Sequence, residues 1–191
     1  GINIIESNLE ILDLDIRNSL SEDAINIISS ISSIDNLRVT ETFSDAIDID
    51  FGKVDFNRIY CEDIKNDCFD ISGGEVSGKY LEATNIKDKG ISFGEESNGK
   101  INLVNLKQNF LGIAVKDGSD LLINESQMTN NEYDVSVFKK KKEFGKARLV
   151  MNKSNKLSDL KALIGKKNDF FYDKFIEFKE VNNDFIYKLF Y

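Results

Sequence analysis

Hydrophobic and polar positions recur along this chain with a period of 22 residues. Between residues 23 and 137, six segments alternate apolar and polar positions, and each begins 22 residues after the one before. Their third positions hold Ile, Ile, Phe, Ile, Ile and Val, and their fifth positions hold Ile, Ile, Ile, Phe, Val and Val. Alternation at spacing two predicts a β-strand, and a fixed period of this length predicts a solenoid whose units stack on one another.

Each repeat has room for two further strands. In the unit that begins at Asp45, residues 54–56 and 59–61 read as a second and a third strand. The 22-residue step places Ile59 over Leu37, Leu81 and Leu103, and Cys61 over Val39, Ala83 and Asn105. Three short strands per repeat predict an all-β, right-handed parallel β-helix of about seven rungs.

The solenoid is predicted to span residues 1–155, with residues 156–191 as a C-terminal cap of the same domain. The first rung needs one extra residue to match the next. In the cap we expect a short helix that begins at Ser158 and ends at Gly165, because Leu160, Leu163 and Ile164 have helical spacing. Two strands at residues 175–179 and 184–190 are then expected to form a hairpin.

Strand parity places Ile47, Ile49, Phe69, Ile71, Ile91 and Phe93 inside. The residues between them then face outward, and Asn26, Asp48, Asp70 and Ser92 are predicted to form a polar ladder with rungs about 4.8 Å apart. Asp50 adjoins this ladder. Carboxylate oxygens are the ligands that calcium prefers, so Asp48, Asp50 and Asp70 are a candidate calcium site; the alternative is a solvated ladder without a cofactor.

The outward polar residues also allow a catalytic interpretation. Polysaccharide lyases abstract a proton with a Lys, Arg or Tyr side chain, and four such residues are expected near the acidic face. These candidate substrate-binding residues are Arg58, Tyr60, Lys79 and Tyr80. An ordinary polar surface is the alternative interpretation.

Two stacked segments, residues 44–49 and 66–71, resemble the catalytic region of polygalacturonase-type glycosidases, which carry an aspartate in one rung and Asp-Asp-Cys in the next. If the chain is an enzyme, this resemblance implies catalytic roles for Asp45 and Asp67, and the acidic ladder adds Asp48 and Asp70 as candidates. Asn66 stands where that family has its first aspartate. The family's downstream histidine and its Arg-x-Lys motif have no counterpart, so the fold's own repeat accounts for the similarity equally well.

The repeat pattern as a whole resembles the bacterial pectate-lyase-like β-helix superfamily. More narrowly, residues 45–53, 88–95 and 140–145 resemble a β-helix module of large bacterial surface proteins, some of which carry spore-coat-H-like kinase domains. This chain has no kinase motif itself. The resemblance implies a scaffold or binding module of a larger protein that is extracellular or at the cell surface.

The amino-acid composition limits the catalytic, metal-binding and partner classes that this chain is expected to have. The chain has no His, which removes the commonest general base and transition-metal ligand. Residues 1–96 hold 21 acidic and 8 basic side chains, so we expect no nucleic-acid partner for this half. No apolar run reaches the roughly 18 residues of a membrane span. Cys61 and Cys68 occupy different columns, so we expect two reduced thiols, although a disulfide remains possible.

Four consecutive lysines, residues 139–142, lengthen the loop after the first strand of the seventh rung. Like charges repel, so we expect this loop to be solvated and mobile, with binding of an acidic partner or polysaccharide as the alternative.

The chain begins with Gly1 in mid-pattern, so we expect it to be a domain of a longer bacterial protein. Together these features predict a non-catalytic scaffold or binding module for a polysaccharide or for another domain of the parent protein. A polysaccharide lyase or glycoside hydrolase is the alternative.

Overall fold

The chain winds into a parallel β-solenoid of about eight turns, as seen in a computed structural model that describes residues 1–155, 159–172 and 180–191. The all-β fold and its 22-residue repeat are therefore confirmed, and the solenoid extends about one turn beyond the seven predicted. Each turn adds a short strand to one parallel sheet and a longer strand to the other. The first turn is one residue longer, because Ile2 pairs with Ile25 and Asn8 with Ile31.

The short sheet has nine strands in the described residues: β1 (Ile2–Ile5), β3 (Asp23–Ile28), β5 (Asp45–Asp50), β7 (Phe69–Ser72), β9 (Lys89–Gly94), β11 (Leu111–Lys116), β13 (Tyr133–Phe138), β15 (Ala162–Gly165) and β17 (Glu180–Val181). The long sheet has eight: β2 (Asn8–Arg17), β4 (Ile31–Thr42), β6 (Lys53–Ile64), β8 (Glu75–Thr84), β10 (Asn98–Lys107), β12 (Asp120–Thr129), β14 (Arg148–Ser154) and β16 (Asp169–Tyr172). One helix follows, α1 (Asn183–Phe190).

The predicted second and third strands of each rung are one continuous long strand. In β6, Phe56 pairs with Ile34 and Arg58 pairs with Asn36, while Asn57 between them has no partner in the register. This unpaired residue resets the alternation of inward and outward side chains, so Phe56 and Ile59 are both buried. The sequence pattern locates both apolar segments, but it does not show that the hydrogen-bond ladder runs through the position between them.

The long sheet carries a one-residue register shift that the uniform 22-residue step does not predict. Leu81 pairs with Val104, and Ala83 pairs with Leu106, so the predicted partners Leu103 and Asn105 are wrong by one residue. The extra residue lies in the corner after β9, where Glu95 and Glu96 both adopt positive φ (58° and 63°). The next corner is one residue shorter than its counterpart before β9, so the short sheet keeps its 22-residue register.

The core consists of side-chain columns that follow the solenoid axis. Ile47, Phe69 and Ile91 pair in successive strands, and each is fully buried. The Phe69 ring also meets the ring of Phe56 edge to face, at 5.6 Å between centroids. The inward set predicted from parity is confirmed.

Cys61 and Cys68 form a disulfide, so the prediction of two reduced thiols is wrong. Their Cα atoms lie 5.8 Å apart, and the bond joins the last part of β6 to the residue before β7. Because the two cysteines lie in different side-chain columns of the repeat, a bond between successive rungs is not expected. The bond instead crosses one corner within a single rung, where two columns meet.

The C-terminal region departs from the predicted cap. Residues 162–164 pair with residues 135–137 of β13, so the predicted helix before Gly165 is a strand. The open edge of β13 offers unpaired backbone groups, and pairing with them overrides weak local helix propensity. Ser158 and residues 175–179 lie outside the described residues.

The predicted strand at residues 184–190 is a helix. The Asn182 side chain accepts a hydrogen bond from the Asp184 backbone N–H and caps the first turn. Ile186 and Phe190, four residues apart, are the two buried residues of α1. They pack with Leu111, Ala114 and Phe138 on the outer face of the short sheet.

Candidate functional site

The predicted polar ladder is present on the outer face of the short sheet. Asn26 pairs with Asp48, Asp48 with Asp70, and Asp70 with Ser92. The two aspartates are partly buried, whereas Ser92 is fully buried although it points away from the core. Side chains from the C-terminal part of the protein cover this end of the ladder.

Asp48 occupies an unfavourable position for a charged carboxylate. Burial raises its pKa to about 7, and the charges of Asp50, Asp70 and Asp23 add to the effect. On either side of it, Asn26 Oδ1 and Asp70 Oδ1 are buried and have no hydrogen-bond partner among the described residues. Asp48 is therefore a carboxyl group that is partly protonated at neutral pH and lies between two buried acceptor oxygens.

The three candidate calcium ligands lie on neighbouring strands, since Asp48 pairs with Asp70 and Asp50 pairs with Ser72. In the ranges that the structure describes, no group of three or more Asp, Glu or Cys side chains is arranged to hold a metal ion. Calcium binding at this ladder therefore stays a prediction.

Asp45 and Asp67, the pair implied by the glycosidase resemblance, bind backbone groups of the next rung. Asp45 Oδ1 accepts a hydrogen bond from the Asp67 N–H at 2.7 Å, and Asp67 Oδ1 accepts one from the Lys89 N–H at 2.9 Å. Burial raises the pKa of Asp45 to about 6. Asp67 is only 3% exposed, which leaves little of it for a sugar to reach. Both carboxylates thus link successive rungs.

Two buried lysines near these aspartates were not identified from the sequence. The Lys89 side chain is 2% exposed, and its Nζ lies 3.5 Å from Asp67 Oδ1 and within hydrogen-bond distance of Asp88 Oδ2. Burial is the largest single effect and would lower the pKa of Lys89, but the charges of Asp67, Tyr191 and Asp88 together outweigh burial and raise it. A signal was available: Lys89 follows Asp23, Asp45 and Asp67 in one column of the repeat.

Lys116 connects the ladder to the C-terminal residue. Its Nζ donates to Ser92 Oγ at 2.7 Å and to the Tyr191 hydroxyl at 3.0 Å, and lies 3.8 Å from Asp70 Oδ1. Burial would lower the pKa of Lys116, but Asp70 and Tyr191 raise it above its ordinary value. The Tyr191 ring also contacts Lys89, whose Nζ lies 4.6 Å from the ring centroid. These contacts fix the end of α1 over the covered part of the ladder.

The four candidate substrate-binding residues lie together on the outer face of the long sheet. Arg58, Tyr60, Lys79 and Tyr80 line one open cleft of about 860 Å³, together with Asp35, Asn36 and Asn57. The acidic ladder lies on the short sheet, so the expectation that these four residues sit near the acidic face is wrong.

Two aromatic rings form one wall of this cleft. The Tyr60 and Tyr80 rings meet edge to face, at 5.6 Å between centroids. The Tyr80 hydroxyl donates a short hydrogen bond to Glu82 Oε2. Burial and this bond raise the pKa of Tyr80 to about 12, so its hydroxyl stays protonated at neutral pH.

The cleft carries two cations, Arg58 and Lys79, and one carboxylate, Asp35, lines it with them. Among the described residues, Arg58 and Lys79 have no ion-pair partner, whereas Arg38 and Lys53 on the same face pair with glutamates. A second depression of about 290 Å³ shares Asn57 and Lys79 with the first and extends the polar surface to β10, where its lining includes Lys100 and Asn102.

No family model matches this chain, and no curated protein or solved structure matches it significantly. Within the described ranges, no helix has the length and apolar character that a membrane crossing requires. The molecule is a parallel β-solenoid with a polar cleft on its long sheet and a partly buried acidic ladder on its short sheet.

Proposed function

We propose that this chain is a non-catalytic polysaccharide-binding module of a larger bacterial surface protein. The observation that carries the proposal is the convergence of Arg58, Tyr60, Lys79 and Tyr80 on one open cleft. The pectate-lyase-like resemblance is consistent with this proposal and remains a resemblance in residue pattern.

The chemistry of the cleft suits a polysaccharide. Sites for small apolar ligands are enclosed and lined mainly by apolar side chains, whereas this surface is shallow and rich in polar groups. A sugar unit presents hydroxyl groups at its edge and C–H groups on its faces. Tyr60 offers an aromatic surface with a polar tip, and Arg58 and Asn57 offer planar hydrogen-bonding groups.

The repeated structure of the long sheet also favours a polysaccharide as the ligand. Successive rungs lie about 4.8 Å apart, so equivalent side chains recur along the solenoid axis. Asn57 donates to Asp35 Oδ1 at 2.6 Å, and Asn124 donates to Asn102 Oδ1 at 2.8 Å, so the polar side chains of this face are held in ordered rows. A rigid, repeated polar surface fits an extended polymer better than a compact ligand.

Two observations favour binding over catalysis. The Tyr80 hydroxyl is held protonated and is a poor base at neutral pH. Asp45 and Asp67 are engaged by backbone N–H groups of the next rung and lie on the other sheet. The Cys61–Cys68 disulfide supports a location outside the cytoplasm, because disulfides persist in oxidising compartments.

Affinity electrophoresis in gels that contain neutral or acidic polysaccharides tests the proposal. We expect retardation by at least one polymer, and we expect Tyr60→Ala to weaken that binding by about tenfold, or about 1.4 kcal/mol. Arg17→Ala, a change of an exposed residue on the first long strand, is the matched control. Release of reducing or unsaturated sugars from the same polymers would support a hydrolase or lyase instead. No retardation by any polymer would favour another domain of the parent protein as the partner.

A further inference from the structure

The lysine-rich loop after β13 contributes to a second cavity, remote in sequence from the cleft of the long sheet. Five lysines line this cavity of about 390 Å³, together with Gly145, Asn168 and Asn183. The lysines are Lys139, Lys142, Lys146, Lys166 and Lys167. Among the residues that the structure describes, no carboxylate belongs to this lining, although the chain as a whole has a net charge of -8.

The four consecutive lysines are divided between two roles. The backbone N–H groups of Lys140 and Lys141 both donate to Asp117 Oδ1 at 2.7 Å, so the loop is anchored to the solenoid on one side. Lys140 Nζ lies 3.7 Å from the centroid of the Tyr191 ring, and Lys141 pairs with Glu95. The other two, Lys139 and Lys142, belong to the cavity. The expectation of a wholly solvated, mobile loop is therefore wrong for its anchored side.

Two buried or partly buried amides hold the walls of the cavity in place. Asn183 Oδ1 accepts a hydrogen bond from the Lys139 N–H at 2.8 Å, and Asn183 Nδ2 donates to the Lys166 carbonyl at 3.1 Å. Asn168 Oδ1 accepts a hydrogen bond from the Ala147 N–H at 2.9 Å. The segments that carry the lysines are thus tied to one another by hydrogen bonds and are preorganised without a ligand.

Gly165 makes this arrangement sterically possible. A Cβ added at Gly165 would lie 2.1 Å from Asn183 Oδ1, far closer than a non-bonded contact allows. A side chain at this position would displace the amide that joins the two walls.

The cavity has five lysines in its lining, and among the described residues one of them forms an ion pair. Lys146 pairs with Asp169 at 2.6 Å. Within the described parts of the chain, Lys139, Lys142, Lys166 and Lys167 have no ion-pair partner. Like charges around one cavity repel each other, and a bound polyanion would replace this repulsion by attraction.

We propose that this cavity binds a ligand that carries two or more phosphate or sulfate groups. Each ammonium group is a compact charge with three donors, and each phosphate or sulfate oxygen accepts hydrogen bonds. The volume exceeds that of a single anion and lies in the range of about 300 to 1,000 Å³ that is usual for ligand sites. This site is independent of the polysaccharide cleft, so either proposal can fail without the other.

Isothermal titration calorimetry of the full chain with sodium tripolyphosphate and with sucrose octasulfate tests the proposal. Sedimentation with phosphatidylglycerol vesicles forms a third arm and separates a lipid headgroup from a free anion as the source of the phosphate. We expect binding in at least one arm, and weaker binding as salt rises from low to high concentration.

The Lys142→Gln/Lys166→Gln double variant should weaken that binding by about tenfold or more, because each substitution removes a charge-assisted hydrogen bond to the ligand. The Lys65→Gln/Lys107→Gln double variant removes the same charge from exposed positions elsewhere and should bind like the unaltered protein. Equal weakening in both double variants would show that only net charge matters, and absence of binding in all three arms would equally overturn the proposal.

Discussion

Replacement of Phe69 by alanine tests the stacked core most sharply. Phe69 is fully buried between Ile47 and Ile91, and its ring meets the edge of Phe56. Hydrogen-bonded strands on both sides fix the separation of the rungs, so the core has little freedom to collapse around a missing ring.

The expected loss follows from this geometry. Truncation of a buried Phe to Ala usually costs about 3 to 5 kcal/mol, and a site that relaxes poorly falls in the upper part of that range. We therefore expect Phe69→Ala to lower the free energy of unfolding by about 4 to 5 kcal/mol. In a protein of 191 residues, each kcal/mol corresponds to about 2 to 4 °C in Tm, so a fall of about 8 to 20 °C is expected.

Urea denaturation followed by circular dichroism measures this loss. Phe43→Ala is the matched control, because Phe43 is 71% exposed and its truncation should cost less than about 1 kcal/mol. A loss below about 1 kcal/mol for Phe69→Ala, or equal losses for the two variants, would refute the stacked column.

Four further outcomes are expected. Asp48→Asn should stabilise the fold by about 1 to 2 kcal/mol at pH 8 and hardly at pH 4. The pKa of Asp48 in the folded protein, about 7, exceeds the ordinary 3.8, so the stability that the protonated carboxyl contributes is lost as pH rises through 7. An equal change in the free energy of unfolding at both pH values would contradict this prediction. Calcium should raise Tm no more than magnesium at equal ionic strength, whereas a calcium-specific rise that Asp70→Asn abolishes would assign a metal site to the ladder. Reduction of Cys61–Cys68 should cost about 2 to 3 kcal/mol, and reaction of both thiols in folded, unreduced protein would disprove the pairing. Deletion of residues 182–191 should uncover apolar surface and cause the protein to associate. A truncated protein that light scattering shows to be monomeric at high concentration would contradict this expectation.

Much of the solenoid fold can be predicted from the sequence, because the alternation of apolar and polar residues in the strands recurs every 22 residues. The column through Ile47, Phe69 and Ile91 is visible as a column of letters, and so is the ladder through Asp48 and Asp70. The one-residue shift of the long sheet is not visible in this way. An added residue at Glu95 or Glu96 and a shorter following corner compensate each other, so the short-sheet pattern shows no trace of them.

The candidate sites were harder to predict than the fold. Alternation indicates which side chains point outward, but it does not indicate which outward face they share, and so Arg58 and Tyr60 were expected beside carboxylates that lie on the other sheet. The prediction of a hairpin strand at residues 184–190 does not anticipate the C-terminal helix, because an Asn that precedes a periodic segment is equally typical of a turn and of the N-cap that Asn182 provides. Without that helix, the burial of Lys116 beneath Tyr191 could not be foreseen.

The most direct test of the central claim compares two variants with the unaltered protein in binding to one polysaccharide that retards the protein in gels. In titration calorimetry, Arg58→Ala/Tyr60→Ala in the cleft should abolish measurable binding. Asp48→Asn in the acidic ladder should leave the affinity unchanged. If the ladder variant loses binding and the cleft variant retains it, the ligand lies on the short sheet and the account is contradicted.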